Sequence, residues 1–353
     1  MGIIAKKEES IYLENKRINE LEIEERRTLL SSKPRMLVMV LTNRCNLKCI
    51  MCSRVNPGDN FTLPFALVER AFKLFPYLED IDLQGGEVFL VDYFKDLFRK
   101  INQYPDMCKR IVTNGLLINQ EWAKIFADSK NVELTYSIDA VTETTYEKIR
   151  SGAKFSELLK SIDIINKVRV EDNAKIKLRI NAVVMASNFK ELSFFPEFCK
   201  KHRFQHLRLD FLRPDVAAQE DVLLKKDNAV SSYLRRIIPE IKNSCQESNI
   251  GFEYTFDSLI CTPAQKKPDQ HAPGSRPRLK CKLPWKKLFI DTGGVILPDC
   301  LCRHPVGTME EPIEEVWNNE KMQLYRQKLS CGLLNDWCSK ACIDNAVDSY
   351  QLG

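Results

Sequence analysis

The chain has 353 residues, 44% hydrophobic and 29% charged, with 53 Lys and Arg against 48 Asp and Glu and a net charge of +5. This composition excludes fibrous, low-complexity and disordered classes, and the length predicts two domains rather than one. The mildly basic balance permits nucleic-acid binding without requiring it, and no run of 18 apolar residues marks a membrane span.

The chain starts MGIIAKKEESIYLENKRINELEIEERR, which has neither the hydrophobic core nor the cleavage site of an export signal, so a cytoplasmic protein is expected. Lys6 stands where a myristoylation motif needs Ser or Thr. Residues 1–35 are charged, with apolar residues at helical spacing (Ile18, Leu21, Ile23), and predict a helical arm that serves as a lid or brace.

From Met36, strand-like runs alternate six times with helical segments such as FALVERAFKLF, DYFKDLFRKI, EWAKIFADS and FSELLKSIDIINKV. The runs are MLVMVL (36–41), DIDLQ (80–84), RIVT (110–113), VELTYSID (132–139), KIKLRINAVV (175–184) and HLRLDFL (206–212). The fold class is therefore α/β with a parallel sheet, and six units fall short of the eight of a closed barrel. Strand parity favours a partial (β/α)6 barrel of parallel strands over a doubly wound sheet. Glu133, Thr135, Ser137 and Asp139 alternate with Val132, Leu134, Tyr136 and Ile138, and Lys177, Arg179 and Asn181 alternate with Ile176, Leu178 and Ile180. Parallel strands covered on both faces read as continuous apolar runs, so one face here meets water or a polar ligand.

Beyond Pro214 a helical linker (215–255) leads to QKKPDQHAPGSRPRLKCK, a basic, proline-bearing loop. Residues 256–353 hold seven of the thirteen cysteines, Cys261, Cys281, Cys300, Cys302, Cys331, Cys338 and Cys342, and predict a small cysteine-rich carboxyl-terminal domain. With an odd count and no export signal, metal ligation explains the cysteines better than disulfides.

Cys45, Cys49 and Cys52 form a CxxxCxxC motif in TNRCNLKCIMC, directly after the first strand, where α/β proteins place their sites. A structural zinc needs four ligands, whereas three thiolates on a cubane cluster leave one iron open for a substrate or cofactor. Here the sequence resembles the radical S-adenosylmethionine (SAM) enzymes, in which that open iron is chelated by SAM. Further landmarks of the family follow in order over residues 36–214. Gly85, Gly86 and Glu87 match its GGE motif, Thr113, Asn114 and Gly115 are similar to its TNG turn, and Ser137 to Ala140 are similar to its SxDG segment. The resemblance implies that Gly85 and Gly86 admit the SAM methionine amino group, with Glu87 as a charge-matched acceptor, and that Ser137 meets the ribose or carboxylate. It makes Asn114, Arg179 and Asn181 further SAM contacts. Met51 stands where the family often has an aromatic residue, and its polarizable sulfur suits packing on the adenine. Val88 replaces the usual proline after GGE.

The tail resembles the auxiliary-cluster extensions of the same superfamily, SPASM and its shorter form twitch. Cys281 precedes a hairpin turn at Gly293 and Gly294, Cys300 follows it, a helical segment with Trp317 comes next, and Cys338 and Cys342 close the set. The resemblance assigns Cys281, Cys300, Cys338 and Cys342 to one auxiliary 4Fe-4S cluster. Cys302 is an alternative to Cys300 or Cys338, Cys331 is spare, and a four-thiolate zinc remains open. Cys108, Cys199 and Cys245 read as buried small hydrophobes, and Cys261 as a candidate hydrogen donor. His202, His206, His271 and His304 share no ligand-like spacing and read as surface or loop residues.

The implied chemistry is reductive cleavage of SAM to a 5′-deoxyadenosyl radical that abstracts hydrogen from a substrate C–H bond, leading to oxidation or epimerisation. A flavodoxin or ferredoxin type donor would supply the electron; the basic run from Lys266 to Lys287 reads most simply as a solvated loop, with a dock for an acidic electron donor as the alternative. Because only 35 residues precede the first strand, a small polar metabolite such as a sugar or aminocyclitol is the expected substrate. The alternative is a peptide recognised through a separate partner protein. A non-catalytic zinc or iron–sulfur module that binds nucleic acid or protein through Arg276, Arg278, Lys280, Lys282, Lys286 and Lys287 is the reading from another class, and it leaves the GGE motif unexplained.

Overall fold

The computed structural model describes residues 10–52, 60–212, 217, 219–222, 228–256, 279, 281–302, 304–336 and 338. All six expected runs are strands. They are β1 (Met36–Val40), β3 (Asp80–Gln84), β4 (Cys108–Thr113), β5 (Val132–Ser137), β7 (Ile176–Val184) and β8 (His206–Phe211), and they lie side by side in parallel. Two-residue strands β2 (Lys48–Cys49) and β6 (Arg150–Ser151) form a separate ladder.

Two further parallel strands extend the sheet. β9 (Gly251–Tyr254) pairs with β8, and β10 (Lys287–Ile290) pairs with β1 in register Met36 with Lys287. The hairpin strand β11 (Val295–Leu297) and the short β12 (Gly307–Thr308) continue antiparallel, giving the order β12-β11-β10-β1-β3-β4-β5-β7-β8-β9. The sheet therefore crosses the boundary expected at residue 256. Four residues, KLFI, are too few to show a period in the sequence, and only the neighbouring β1 edge defines them as a strand.

The expected two-sided character of the strands is present. Val132, Leu134 and Tyr136 belong to the main buried core, together with Leu158, Ile162 and Ile165 of the helix Phe155–Glu171. Residues between them in the strands, among them Arg110, Glu133 and Arg179, engage one another on the opposite face.

The arm is a helix, Ile11–Glu25, and it braces the molecule through polar atoms rather than the apolar stripe that was expected. Leu21 is exposed and the buried positions are Asn15, Asn19, Glu22 and Ile23. Asn19 donates to the Trp285 carbonyl at 2.6 Å, and Glu22 accepts from the Ser31 backbone at 2.6 Å. Fully buried Arg326 adds to this seam by donating to the Thr28, Pro284 and Trp317 carbonyls while stacking on Trp317, 4.5 Å from the ring centroid. No helix among the described residues is long and apolar enough to cross a membrane.

Candidate active site at the carboxyl ends of the strands

The loop after β1 carries Cys45, Cys49 and Cys52 and is pinned to the end of β3. The Gly86 N–H donates to the Thr42 carbonyl at 2.6 Å and the Glu87 N–H to the Arg44 carbonyl at 2.8 Å. A Cβ on Gly86 would lie 2.1 Å from the Arg44 oxygen, and one on Gly85 2.5 Å from the Thr42 oxygen. The glycines thus let the cysteine loop lie against the strand end, which differs from the expectation that they leave room for a ligand. Gly86→Ala is expected to destabilise the protein by about 1–3 kcal/mol or more through overpacking and to lower the iron retained per chain, as read by thermal melts and metal analysis.

The Glu87 carboxylate is also engaged internally. It is fully buried and accepts from Thr113 Oγ1 at 2.9 and 3.0 Å and from the Asn114 N–H at 2.9 Å, tying the end of β3 to that of β4. Burial pushes its pKa up to about 7 against these donors. Its carboxylate oxygens are thus engaged by protein donors that join two strand ends.

The three thiols lie within electrostatic reach of one another, and those of Cys45 and Cys49 meet N–H donors. Cys45 Sγ accepts from the Leu47 N–H at 3.4 Å and faces Asn114 Nδ2 at 3.9 Å, while Asn114 also donates to Asn46 at 2.8 Å. Burial raises the Cys49 thiol to about 11, and Arg150 Nη1 lies 3.9 Å from its sulfur. Arg150 reaches this position because β2 and β6 pair Cys49 with Arg150 directly. Its Nη2 is 2.6 Å from Asp139 Oδ2, in a pair that is 6% and 0% exposed respectively. Burial alone would lower the guanidinium pKa, but Asp139 outweighs it and holds Arg150 charged. Arg150 was missed in the sequence because nothing in RSG marks it as a partner of a cysteine a hundred residues earlier. Asp139 was within the SxDG-like segment, but its role was not.

Ser137 and Asn181 sit level with each other in the β5–β7 register, on the polar face near the strand ends, and Met51 packs half-buried against the core. Arg179 lies two residues below Asn181 and is ion-paired to Glu253 at 2.9 Å and Glu133 at 3.4 Å, so it is tied into the sheet's inner face rather than presented at the strand ends.

In the tail, Cys281, Cys302 and Cys338 line one apolar cavity with Leu283, Tyr325 and Leu329, and Cys302 and Cys338 form a backbone bridge. Cys300, expected among these ligands, instead packs in a separate cluster with Val38, Val40, Phe289 and Leu297, and its thiol donates to Asp299 at 3.4 Å. A tight turn closed by the Cys302 N–H on the Asp299 carbonyl at 3.0 Å lies between the two cysteines and leaves Cys302, not Cys300, beside Cys281 and Cys338. Cys331 is exposed, Cys199 and Cys245 are buried, and Cys108 is half-buried. Cys261, Cys342 and His271 lie outside the described residues, as does most of the basic run from Lys266. His206 is not a surface residue, since its Nε2 lies 3.1 Å from Glu253 on the inner face.

Among the described residues no three His, Cys, Asp or Glu side chains close as tightly as ligands of a single ion. The donor chemistry nevertheless fits a thiolate-held cluster, whose irons take one cysteine each, because every N–H aimed at these sulfurs stabilises a thiolate. Cys302→Ser is expected to remove about half of the bound iron, the share of one of two cubanes, while Cys300→Ser leaves it unchanged. Metal analysis for iron and zinc reads both outcomes.

An inner polar face with three cysteines gathered at the carboxyl ends of its strands is where an α/β fold seats an active site. Residues 39–185 match the model of the Radical SAM superfamily and form a radical SAM domain, of a family that binds a 4Fe-4S cluster and SAM. The cysteine-type anaerobic sulfatase-maturating enzyme of Clostridium novyi is 28% identical over 193 residues, 49% of this chain and 50% of that protein. A probable GTP 3′,8-cyclase of Methanocaldococcus jannaschii is 26% identical over 171 residues, 47% and 55% of the two chains. The chain spans about half the length of these curated relatives. Among solved structures, Streptococcus suis SuiB bound to SAM shares the fold with a TM-score of 0.65 at 20% identity, covering 88% of this chain and 71% of that one. The anSMEcpe structure with bound SAM does so with a TM-score of 0.62 at 17% identity, covering 90% and 88%.

Proposed function

We propose that this chain cleaves SAM reductively and modifies a peptide or protein side chain by hydrogen-atom abstraction, assisted by an auxiliary cluster in the tail. The observation that carries the proposal is the set of thiols at 45, 49 and 52 on a loop pinned by Gly85–Glu87, with Cys45 faced by N–H donors from Leu47 and Asn114 and Cys49 by Arg150. Cys45, Cys49 and Cys52 would hold the SAM-binding cluster. With SAM bound, that cluster supplies a 5′-deoxyadenosyl radical able to take a hydrogen atom from an unactivated carbon. The chain's own part is to bind and orient. Asn114 and Arg150 offset the thiolate charge, Ser137 and Asn181 present polar groups at the strand ends, and the sheet's inner face excludes bulk water from the reacting atoms. Cys281, Cys302 and Cys338, with Cys342 as the expected fourth ligand, would hold the second cluster.

A peptide substrate is supported over the small metabolite first expected, because one curated relative is named as a sulfatase-maturating enzyme and structural neighbours are described with bound peptides. A small-molecule substrate keeps one observation in its favour, the relatives named as GTP 3′,8-cyclases. A flavodoxin or ferredoxin type donor remains the proposed source of the electron. The test is 5′-deoxyadenosine formation by anaerobically purified, cluster-reconstituted chain with SAM and dithionite. Its appearance is the expected result, and a protein that holds iron at Cys45, Cys49 and Cys52 yet forms none would overturn the catalytic reading.

A further inference from the structure

The inner face of the sheet carries a row of charged side chains that the cofactor site does not use. Arg110 Nε is 2.6 Å from Glu133, Arg179 joins Glu133 to Glu253, and Lys287 is 2.6 Å from Asp299. At the β3 end of this row neutralisation fails. Asp80 and Asp82 are two residues apart on the same face, and the ion pairs they make within 4 Å among the described residues are to Arg110 Nη1, at 3.8 and 3.9 Å. Those distances exceed hydrogen-bond reach. The group Asp80, Asp82, Arg110 and Glu133 carries two negative charges in excess when all four are ionised, and Arg179, 3.4 Å from Glu133 and shared with Glu253, offsets at most one of them.

Hydrogen bonding leaves the same face short of donors. Oδ1 of Asp80, Oδ1 of Asp82, Thr135 Oγ1 and Asn181 Oδ1 are all buried without a hydrogen-bond partner, and Thr135 is only 8% exposed. Buried polar atoms in a native structure are nearly always paired, so four unmet acceptors on one face call for a ligand that supplies donors. Burial raises both carboxyls above the usual range, Asp80 to about 6, against the opposing pull of Arg110 and Lys287.

We infer that Asp80 and Asp82 seat a primary ammonium group carried on a flexible aliphatic chain, either a lysine side chain of a peptide or a free alkylamine. This deepens the proposed function and rests on it. Asp82 lies three residues before Gly85, about 10 Å below the strand end at the usual strand rise. An ammonium placed there on a four-carbon stem leaves the carbons nearer the main chain close to the strand ends, where Cys45, Ser137 and Asn181 lie.

The experiment is calorimetric titration of the reconstituted, SAM-loaded full chain at neutral pH with three probes: Nα-acetyl-lysine methylamide, pentylamine and the uncharged Nα-acetyl-norleucine methylamide. The lysine derivative is expected to bind at least tenfold more tightly than the norleucine one, and Asp80→Asn with Asp82→Asn to weaken it at least tenfold. Tighter binding of the lysine derivative than of pentylamine assigns the site to a peptide, and the reverse order to a free amine. Equal binding of lysine and norleucine derivatives, or undiminished binding by the double variant, overturns the ammonium site and leaves the carboxylates a structural role. If the double variant does not fold, the comparison of charged and uncharged probes on the wild type still decides. Wild-type 5′-deoxyadenosine formation without any probe is measured alongside. Cleavage without amine binding sinks the ammonium site alone, whereas amine binding without cleavage sinks the radical reading alone.

Discussion

Cys49→Ala is expected to bring 5′-deoxyadenosine formation below about a thousandth of the wild-type rate, because the reaction's point of electron entry is lost. Cys49 is the most deeply placed of the three thiols, buried beneath the loop and paired through its backbone with Arg150. Its removal deletes a ligand and leaves the Arg150 guanidinium without the sulfur it faces at 3.9 Å. The auxiliary site lies on a different segment, so iron bound through Cys281, Cys302 and Cys338 should remain. Metal analysis should then show about half of the wild-type iron, the share of the remaining cubane. Activity retained with full iron would mean that the CxxxCxxC loop is not the reactive site.

Arg150→Met should cost about 3–5 kcal/mol of stability, the range for breaking a buried ion pair by removing one partner. Asp139 is fully buried, and its Oδ2 has Arg150 as its ion-pair partner at 2.6 Å, so the substitution strands a carboxylate in the core. Combining it with Asp139→Asn should recover most of the loss, because the charge that lacked a partner is gone. The remaining Asp139 contacts, from the Val183 N–H to Oδ1 at 2.8 Å and from Asn188 to the carbonyl at 2.7 Å, suit an amide in part. Denaturant titration of the two singles and the double reads this coupling. Reductive titration followed by electron paramagnetic resonance adds a measurement that a purely structural role would not move. Loss of the cation beside Cys49, a proposed cluster ligand, should shift the midpoint potential to more negative values in Arg150→Met, and by less in the double variant, which also removes the Asp139 charge.

The strands were legible in the sequence because their period of two survives tertiary contact. Every run from MLVMVL to HLRLDFL forms a strand within two residues of the expected bounds. The polar face was legible for the same reason, since Glu133, Thr135, Lys177 and Arg179 cannot alternate with Val132, Leu134, Ile176 and Leu178 and all face the helices. The arm expected as a lid or brace is helical, but its polar mode of attachment was not legible. Asn15, Asn19 and Glu22 are ordinary surface residues by composition and become buried only because the Ser31–Lys33 and Trp285 backbones lie beside them.

The sequence by itself determined the alternating α/β plan, the cysteine loop after β1 and the landmarks at the strand ends, because each is written in local spacing. Tertiary structure decided what depends on chain segments meeting: β10 joining β1 across 250 residues, Arg150 reaching Cys49, and Glu87 turning to Thr113 and Asn114. It also separated Cys300 from Cys302, which look alike in sequence: the turn closed between Asp299 and Cys302 lies between them, and packing puts the first beside Val38 and Val40 and the second beside Cys281 and Cys338.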